Sequence, residues 1–410
     1  MKHVWILNHY AQAPYEAGGT RHFHLAEYLK SNGWQATIIA ASVSHNSGIQ
    51  RLDTYEAERY EEISNVPFLW VHTPEYTGNG RGRLVNILAY TWGVLKNSTT
   101  LPLHRPDVIV GSSVHPFSVL AASLLASRFK VPFIFEVRDL WPQSLIDMGR
   151  LKERGGLTWL LRKMELWLYR QASSIVVLLP HADEYIVPLG IPKSKIFWIP
   201  NGVDLALFPL PVEPVRKTSE EFTLMYFGTL GHANGLGDVL LAMKIVQDTG
   251  NLKKIKLRII GDGPLKIHLM ELAKQLALGN VNFELPVTKS QIPLLAKEAD
   301  AFVITVLNLP RLYRYGISMN KLFDYLAAGR PIIIASEAAN NPVAEANAGI
   351  TVTSENPEKL ADAIIKMAEM SVQDREQMGR NGRLYVEQNH SFEKLSAKYS
   401  LVLDDVCKLR

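Results

Sequence analysis

The sequence predicts an α/β protein built from two doubly wound, Rossmann-like domains. Short runs rich in Val, Ile and Leu alternate with helix-period stretches, as expected of parallel strands covered by helices on both faces. The alternation is interrupted once, at 199–215 (IPNGVDLALFPLPVEPV), where proline and turn residues crowd together. At 410 residues the chain is too long for one ordinary core. It has room for two domains of about 200 residues each.

Taken in order, the first half places strands at 4–7, 36–40, 68–71, 108–110, 133–137 and 175–179, with helices near 20–31, 83–96, 116–128 and 156–171. The second half repeats the pattern, with strands at 222–227, 256–260, 281–285, 301–306, 331–335 and 350–352 and helices near 235–248, 264–277, 319–328 and 357–370. An N-terminal domain at 1–195 and a C-terminal domain at 196–385 follow, with a helical tail near 386–410 crossing back onto the first. The simplest architecture is two such domains facing across a cleft, with ligands outside the carboxyl ends of the strands.

Apolar residues make up 47% and charged residues 20% of the chain, a globular composition. The net charge of +4 suits anionic substrates or an anionic membrane surface, but is too weak to argue for nucleic acid. A single cysteine, Cys407, excludes an intramolecular disulfide and fits a reducing compartment. The apolar run 4–7 is too short for a signal peptide, and no stretch reaches the roughly 20 apolar residues of a membrane span. A cytoplasmic protein is expected, either free or resting on the inner face of a membrane.

The most informative stretch is 315–331, YGISMNKLFDYLAAGRP. Met319, Leu322, Phe323, Leu326 and Ala327 recur at the spacing of one buried helix face, Ser318 is placed to cap the start, and Gly329 with Pro331 stops it. The polar face carries Asn320, Lys321 and Asp324. A helix N-terminus and Lys321 suit a diphosphate, and an acid about 4.5 Å further along the axis suits a sugar diol. Arg311, Arg314 and Gly316 just upstream add cations and a loop of the kind phosphate binding uses. An ordinary surface helix with an ion pair between Lys321 and Asp324 is the plain alternative.

Other loops sit where α/β chemistry usually sits. Gly18 and Gly19, then Thr20 and Arg21, open a helix after the first strand, a weak phosphate signal. Gly261-Asp262-Gly263-Pro264 follows another strand, but Lys266 stands where the third glycine of a dinucleotide fingerprint belongs. SSVHPFS and FEVRDLWP end two further strands and present His115, Arg138, Asp139 and Trp141. The stretches 81–96 and 157–170 are basic and aromatic, compatible with a lipid interface or with core helices bearing a solvated edge. No metal-site spacing is present.

On these residues the chain resembles glycosyltransferase family 4, the retaining enzymes of the GT-B fold, over nearly its whole length. YGISMNKLFDYLAAGRP is similar to the family's donor-binding helix, GDGP and VNFELPVTKSQIPLLAKEADAFVI to its flanking segments, and IPNGVD to its interdomain stretch. FEVRDLWP, SSVHPFS and TPEYTGNG look like the subgroup that builds bacterial surface polysaccharides, including amino-sugar transferases of O-antigen assembly. The resemblance implies transfer of a hexosyl or N-acetylhexosaminyl group from a nucleoside-diphosphate sugar, UDP being favoured, to a saccharide or lipid-linked saccharide. It implies neither metal nor cofactor. In such transfers the leaving phosphate takes the acceptor's proton, so the protein positions and stabilises.

Carried onto this sequence, the resemblance puts Asp324 on the ribose, Gly18 and Gly19 in the N-terminal loop, His115 on the acceptor side and Pro286 and Val287 near the base. Arg138 and Asp139 join His115 and Lys321 as candidate catalytic residues. Gly261, Ile317, Ser318, Met319 and Asn320 line the donor with Arg311, Arg314 and Lys321. Two departures stand out. The family's first glutamate is Gly316, and its Arg and Lys pair after the domain's first strand is Thr229 and Asn234. A UDP-sugar 2-epimerase of the same architecture and a non-catalytic nucleotide-sugar-binding protein are the competing readings. The missing dinucleotide fingerprint disfavours an NAD enzyme.

Overall fold

A computed structural model of the chain describes residues 1–16, 19–45, 47–78, 80–97, 103–209, 221–250 and 254–408. It divides into two compact units, Met1–Asn201 with Phe392–Arg410, and Gly202–Ser391. The first unit holds β1 (Lys2–Leu7), β2 (Trp34–Ala41), β3 (Glu58–Ile63), β4 (Val66–Val71), β5 (Val108–Ser112), β6 (Phe133–Val137), β7 (Ser174–Val177) and β8 (Ile196–Trp198). They form one sheet in the order β3-β4-β2-β1-β5-β6-β7-β8. Only the β3–β4 pair is antiparallel. β3, ERYEEI, is an edge strand with its middle exposed, so it carries no apolar run and sequence pattern alone misses it.

The central strands β1 and β4 to β7 are buried nearly throughout, as strands covered on both faces must be. One face carries the layer of helices Arg81–Asn97, Pro116–Phe129 and Gly156–Gln171, the middle one packed against both neighbours. On the core cluster of the other face, the helices Arg21–Leu29 and Phe392–Lys408 pack together. Phe392, Leu395, Tyr399, Val402, Leu403 and Val406 recur at helical spacing and are all buried. That stripe brings the chain's end back to the first unit. Among the described residues, no helix is long and apolar enough to cross a membrane.

The second unit holds β9 (Glu221–Phe227), β10 (Lys254–Ile260), β11 (Val281–Glu284), β12 (Ala301–Thr305), β13 (Ile332–Ala335) and β14 (Gly349–Val352), all parallel, in the order β11-β10-β9-β12-β13-β14. The order reverses between β9 and β12, and in the first unit between β1 and β5. In sheets of this kind the switch points are where ligands bind, beyond the carboxyl ends of the strands.

Candidate active site

The switch point of the second unit gathers most of the expected donor residues. Helix Asn320–Ala327 buries Leu322, Phe323, Tyr325, Leu326 and Ala327. The Tyr325 hydroxyl donates to the carbonyl of Phe227 at 2.9 Å and accepts that residue's N–H at 2.8 Å, fixing the helix to the end of β9. Met319, not Ser318, occupies the cap position, and its side chain makes no cap bond.

Lys321 reaches from this helix to the loop after β9. Its ammonium donates to Asn234 Oδ1 at 2.5 Å and to the Tyr226 hydroxyl at 3.0 Å, and it lies 4.6 Å from the centre of the Tyr226 ring. Asn234 is oriented for this, because its Nδ2 donates to the Thr229 carbonyl at 2.8 Å. Tyr226 donates to the same carbonyl at 2.7 Å. Thr305, at the end of β12, donates to the Asn234 carbonyl at 2.5 Å, so both strands of the switch point meet there. Every partner of the ammonium is uncharged, and no carboxylate among the described residues pairs with it. Burial lowers its pKa to about 7. A cation so placed gains most from an anion.

The polar face expected of the helix needs correction at Asp324. Asp324 is 3% exposed, not solvated. Its Oδ2 is ion-paired with Lys289, and its Oδ1 is buried without a partner. Three residues leave Asp324 offset by only about 60° from Lys321 around the helix, but its carboxylate turns to Lys289 of the loop after β11. Pro286 and Val287 lie in that loop, two or three residues before Lys289, so the loop meets the helix through the ion pair. The sequence reading missed Lys289, as it did Asn340. The Asn340 side chain accepts the Ile317 N–H at 2.6 Å and donates to the Ile317 carbonyl at 3.1 Å, clamping the segment that enters the helix.

Gly316 has φ +97°, a region that strains any side chain. The missing glutamate is therefore matched by backbone geometry that disfavours one. Arg311 and Arg314 are exposed, and Arg314 stacks 4.6 Å from the Tyr315 ring while bonding its hydroxyl. The GDGP turn is a packing device. A Cβ on Gly261 would stand 2.0 Å from the Gly228 carbonyl oxygen, and one on Gly263 would stand 2.5 Å from that of Leu230. Both glycines let the turn lie against the loop that carries Thr229.

At the switch point of the first unit, His115 is buried at 2% exposure and caps helix Pro116–Phe129. Its Nδ1 accepts the Ser118 N–H at 3.2 Å, which leaves Nε2 as the protonated nitrogen facing His9 Nδ1 at 2.5 Å. Both ring nitrogens are engaged inside the protein. Burial, reinforced by Arg83, lowers its pKa to about 3, so the ring is neutral. His115 therefore orients neighbours instead of projecting toward a ligand. Beside it, His9 stacks on Tyr10 and Tyr90, Tyr10 stacks on His45, and Arg83 donates to the Tyr10 hydroxyl at 2.9 Å. This aromatic shelf carried no sequence signal, since its members come from separate segments.

Arg138 acts electrostatically with both Glu136 and Asp139; Asp139 lines a small cavity with Trp141 and Glu165, and desolvation, only partly offset by Arg138, raises its carboxyl pKa. Gly18 lies outside the described residues, and Gly19 leads into helix Arg21–Leu29. Arg21 itself is buried. Its Nε donates to Glu136 at 2.9 Å, Nη2 donates to the Ile199 carbonyl at 2.9 Å, and Nη1 donates to that of Pro200. His22 Nε2 lies 2.5 Å from the other Glu136 oxygen. Burial alone would raise the Glu136 pKa, yet His22, Arg21 and Arg138 outweigh it and hold the carboxyl well below its ordinary range.

Two Rossmann-ordered units, one with a cationic switch point, define the GT-B class. In overall fold the chain is similar to sucrose-phosphate synthase from Thermosynechococcus elongatus (TM-score 0.75, 15% identity, 100% of both chains). It is also similar to Alr3699/HepE of Anabaena in complex with UDP (TM-score 0.65, 14% identity, 99% of this chain and 100% of that one). In sequence it matches "Probable glycosyltransferase WbjE" of Pseudomonas aeruginosa, 23% identical over 70% of this chain and 72% of that protein. It also matches "Putative colanic acid biosynthesis glycosyl transferase WcaI" of Escherichia coli strain K12, 22% identical over 77% of this chain and 78% of that protein. Residues 17–202 match the glycosyl transferase 4-like domain and residues 212–385 match glycosyl transferases group 1. The chain belongs to glycosyltransferase family 4 and is a glycosyltransferase.

Proposed function

We propose that the chain transfers a sugar, with retention at the anomeric carbon, from a nucleoside-diphosphate sugar to a saccharide or lipid-linked saccharide in the assembly of a surface polysaccharide. The observation that carries this reading is the Lys321 ammonium at the β9–β12 switch point, held by neutral oxygens at 2.5 and 3.0 Å. It touches Asn234, the position at which the family pattern has a cation, so the helix supplies the charge that the loop lacks.

In this reading Lys321 and the first amides of its helix receive the diphosphate. The unpartnered Oδ1 of Asp324 accepts a ribose hydroxyl while Lys289 holds Oδ2. Pro286 and Val287 border the base. The bond between the anomeric carbon and the diphosphate oxygen breaks, and the diphosphate leaves with the electron pair. The acceptor oxygen bonds to the same face, and its proton passes to the departing phosphate, so no protein base is required. That agrees with a His115 whose nitrogens are both occupied. UDP is the favoured nucleotide, because the Anabaena neighbour is described in complex with UDP. The name of the WcaI relative, "Putative colanic acid biosynthesis glycosyl transferase", supports a polysaccharide role.

The test is thermal stabilisation by UDP-, GDP- and ADP-sugars, followed by NMR of the product's anomeric configuration with the stabilising donor. A UDP-sugar should raise Tm most, and the product should keep the donor's configuration. Absence of stabilisation by every nucleotide sugar would overturn the reading. An epimerised sugar formed without acceptor would move the chain to the epimerases.

A further inference from the structure

We propose that the second unit carries a further ligand site, a pocket at the open edge of its sheet that takes a saccharide bearing one anionic group. The pocket lies between β14 and helix Pro357–Glu369 and holds about 450 Å³, within the range of small-molecule sites. β14 is the last strand of the sheet and pairs only with β13. The Ser336 N–H donates to the Val352 carbonyl and the Ile332 N–H to that of Ala348, so residues 348, 350 and 352 turn their main chain toward β13. Thr351, between them, turns its N–H and carbonyl to the open side. Ile350, Val352 and Ala363 supply an apolar lining, which suits the C–H face of a sugar ring.

The polar lining selects the ligand. The Ser336 and Thr351 hydroxyl oxygens accept the Ala338 N–H at 3.2 Å and the Asn341 side-chain amide at 2.9 Å, which leaves each hydroxyl its proton to donate. The Thr353 hydroxyl is buried in the pocket wall without a partner, a polar group that the fold itself leaves unsatisfied. Along the helix, Lys359, Asp362 and Lys366 follow at i, i+3 and i+7, which sets all three on the pocket flank. Neither lysine has an ion-pair partner among the described residues. Lys359 stands in the first turn, where the helix dipole also favours an anion, and Asp362, about 4.5 Å further along the axis, is placed to accept hydroxyls. A polyphosphate would set more negative charge against Asp362, and an uncharged sugar would leave both ammonium groups unanswered. One phosphate or carboxylate on a sugar answers the cations, the acid and the hydroxyls together.

The pocket shares no residue with the Lys321 site, so this inference and the donor reading can fail separately. The full chain is titrated by calorimetry with galacturonate and galactose 6-phosphate, and with galactose and inorganic phosphate as the two halves of such a ligand. The variants Lys359→Glu/Lys366→Glu and Lys321→Met are titrated beside it, with melting curves to confirm that both are folded. At least one anionic sugar should bind saturably and about tenfold or more tightly than either half, with the same affinity in Lys321→Met and an affinity about tenfold or more weaker in the charge variant. Which of the two binds tells carboxylate from phosphate. No saturable binding of either, equal binding of inorganic phosphate alone, a charge variant that binds like the wild type, or binding lost in Lys321→Met would overturn the proposal. So would a dimer in solution that the charge variant dissociates.

Discussion

Lys321 concentrates the electrostatics of the candidate site into one atom. With its pKa lowered to about 7 by burial, the free protein holds the lysine partly neutral at physiological pH, whereas a bound diphosphate favours the charged form. Nucleotide binding should therefore take up protons above pH 7 and weaken as pH rises. Calorimetry in buffers of different ionisation enthalpy measures both. The sign for stability is opposite to that of a salt-bridged lysine. The fold disfavours the ammonium, so this contribution is least favourable at and below about pH 7 and improves as pH rises toward the ordinary lysine value of 10.5. Because Lys321 touches Asn234, Asn234→Lys alone should lower stability by setting two cations together, and adding Lys321→Asn should recover it. Equal melting temperatures for the single and double variants would refute the pairing. The sequence revealed Lys321 and its helix, but not its contacts, since Tyr226 and Asn234 lie 95 and 87 positions away. For the same reason Lys289, joined to Asp324 across 35 positions, was invisible.

At the scale of elements, the strands were legible wherever both faces are covered; β3 was not because it is a charged edge, and β8 was not because it is an edge strand of only three residues. Helix 320–327 was legible as a helix, though its faces were not, because burial of Asp324 depends on a loop supplying Lys289. The GDGP turn shows how a motif with a ligand-binding look can serve packing. Gly261→Ala should force the 228–230 loop away from β10, since its Cβ would meet a carbonyl oxygen at 2.0 Å. Loss of about 2 kcal/mol or more, together with weaker nucleotide binding, is the expected outcome of denaturation and titration. Unchanged stability would show that the loop yields freely. The link from β6 to the Arg21–Leu29 helix is equally local. Glu136→Leu leaves Arg21 buried without its carboxylate and should cost about 3–5 kcal/mol. The wild-type contribution is present at neutral pH and disappears as pH falls through and below the ordinary carboxylate range, because the folded pKa lies below the unfolded one.

At the scale of the molecule, two units each reverse their strand order once, and the residues at the two switch points differ. The second brings together a cation with no counter-charge among the described residues, a helix N-terminus and an acid with one unpartnered oxygen. The first holds neutral, largely buried histidines and aromatic rings beside Arg83, whose guanidinium donates to the Tyr10 hydroxyl. That division fits family 4 with the charge of one departed position resupplied from the facing helix. The most direct measurement is the affinity for UDP of the wild type and of Lys321→Met, at pH 6.5 and 8.5 (values on either side of about 7), with melting curves confirming that both are folded. The account predicts binding weaker by about 10- to 100-fold in the variant at the lower pH, and loss of proton uptake. Equal affinity with unchanged proton uptake would contradict it.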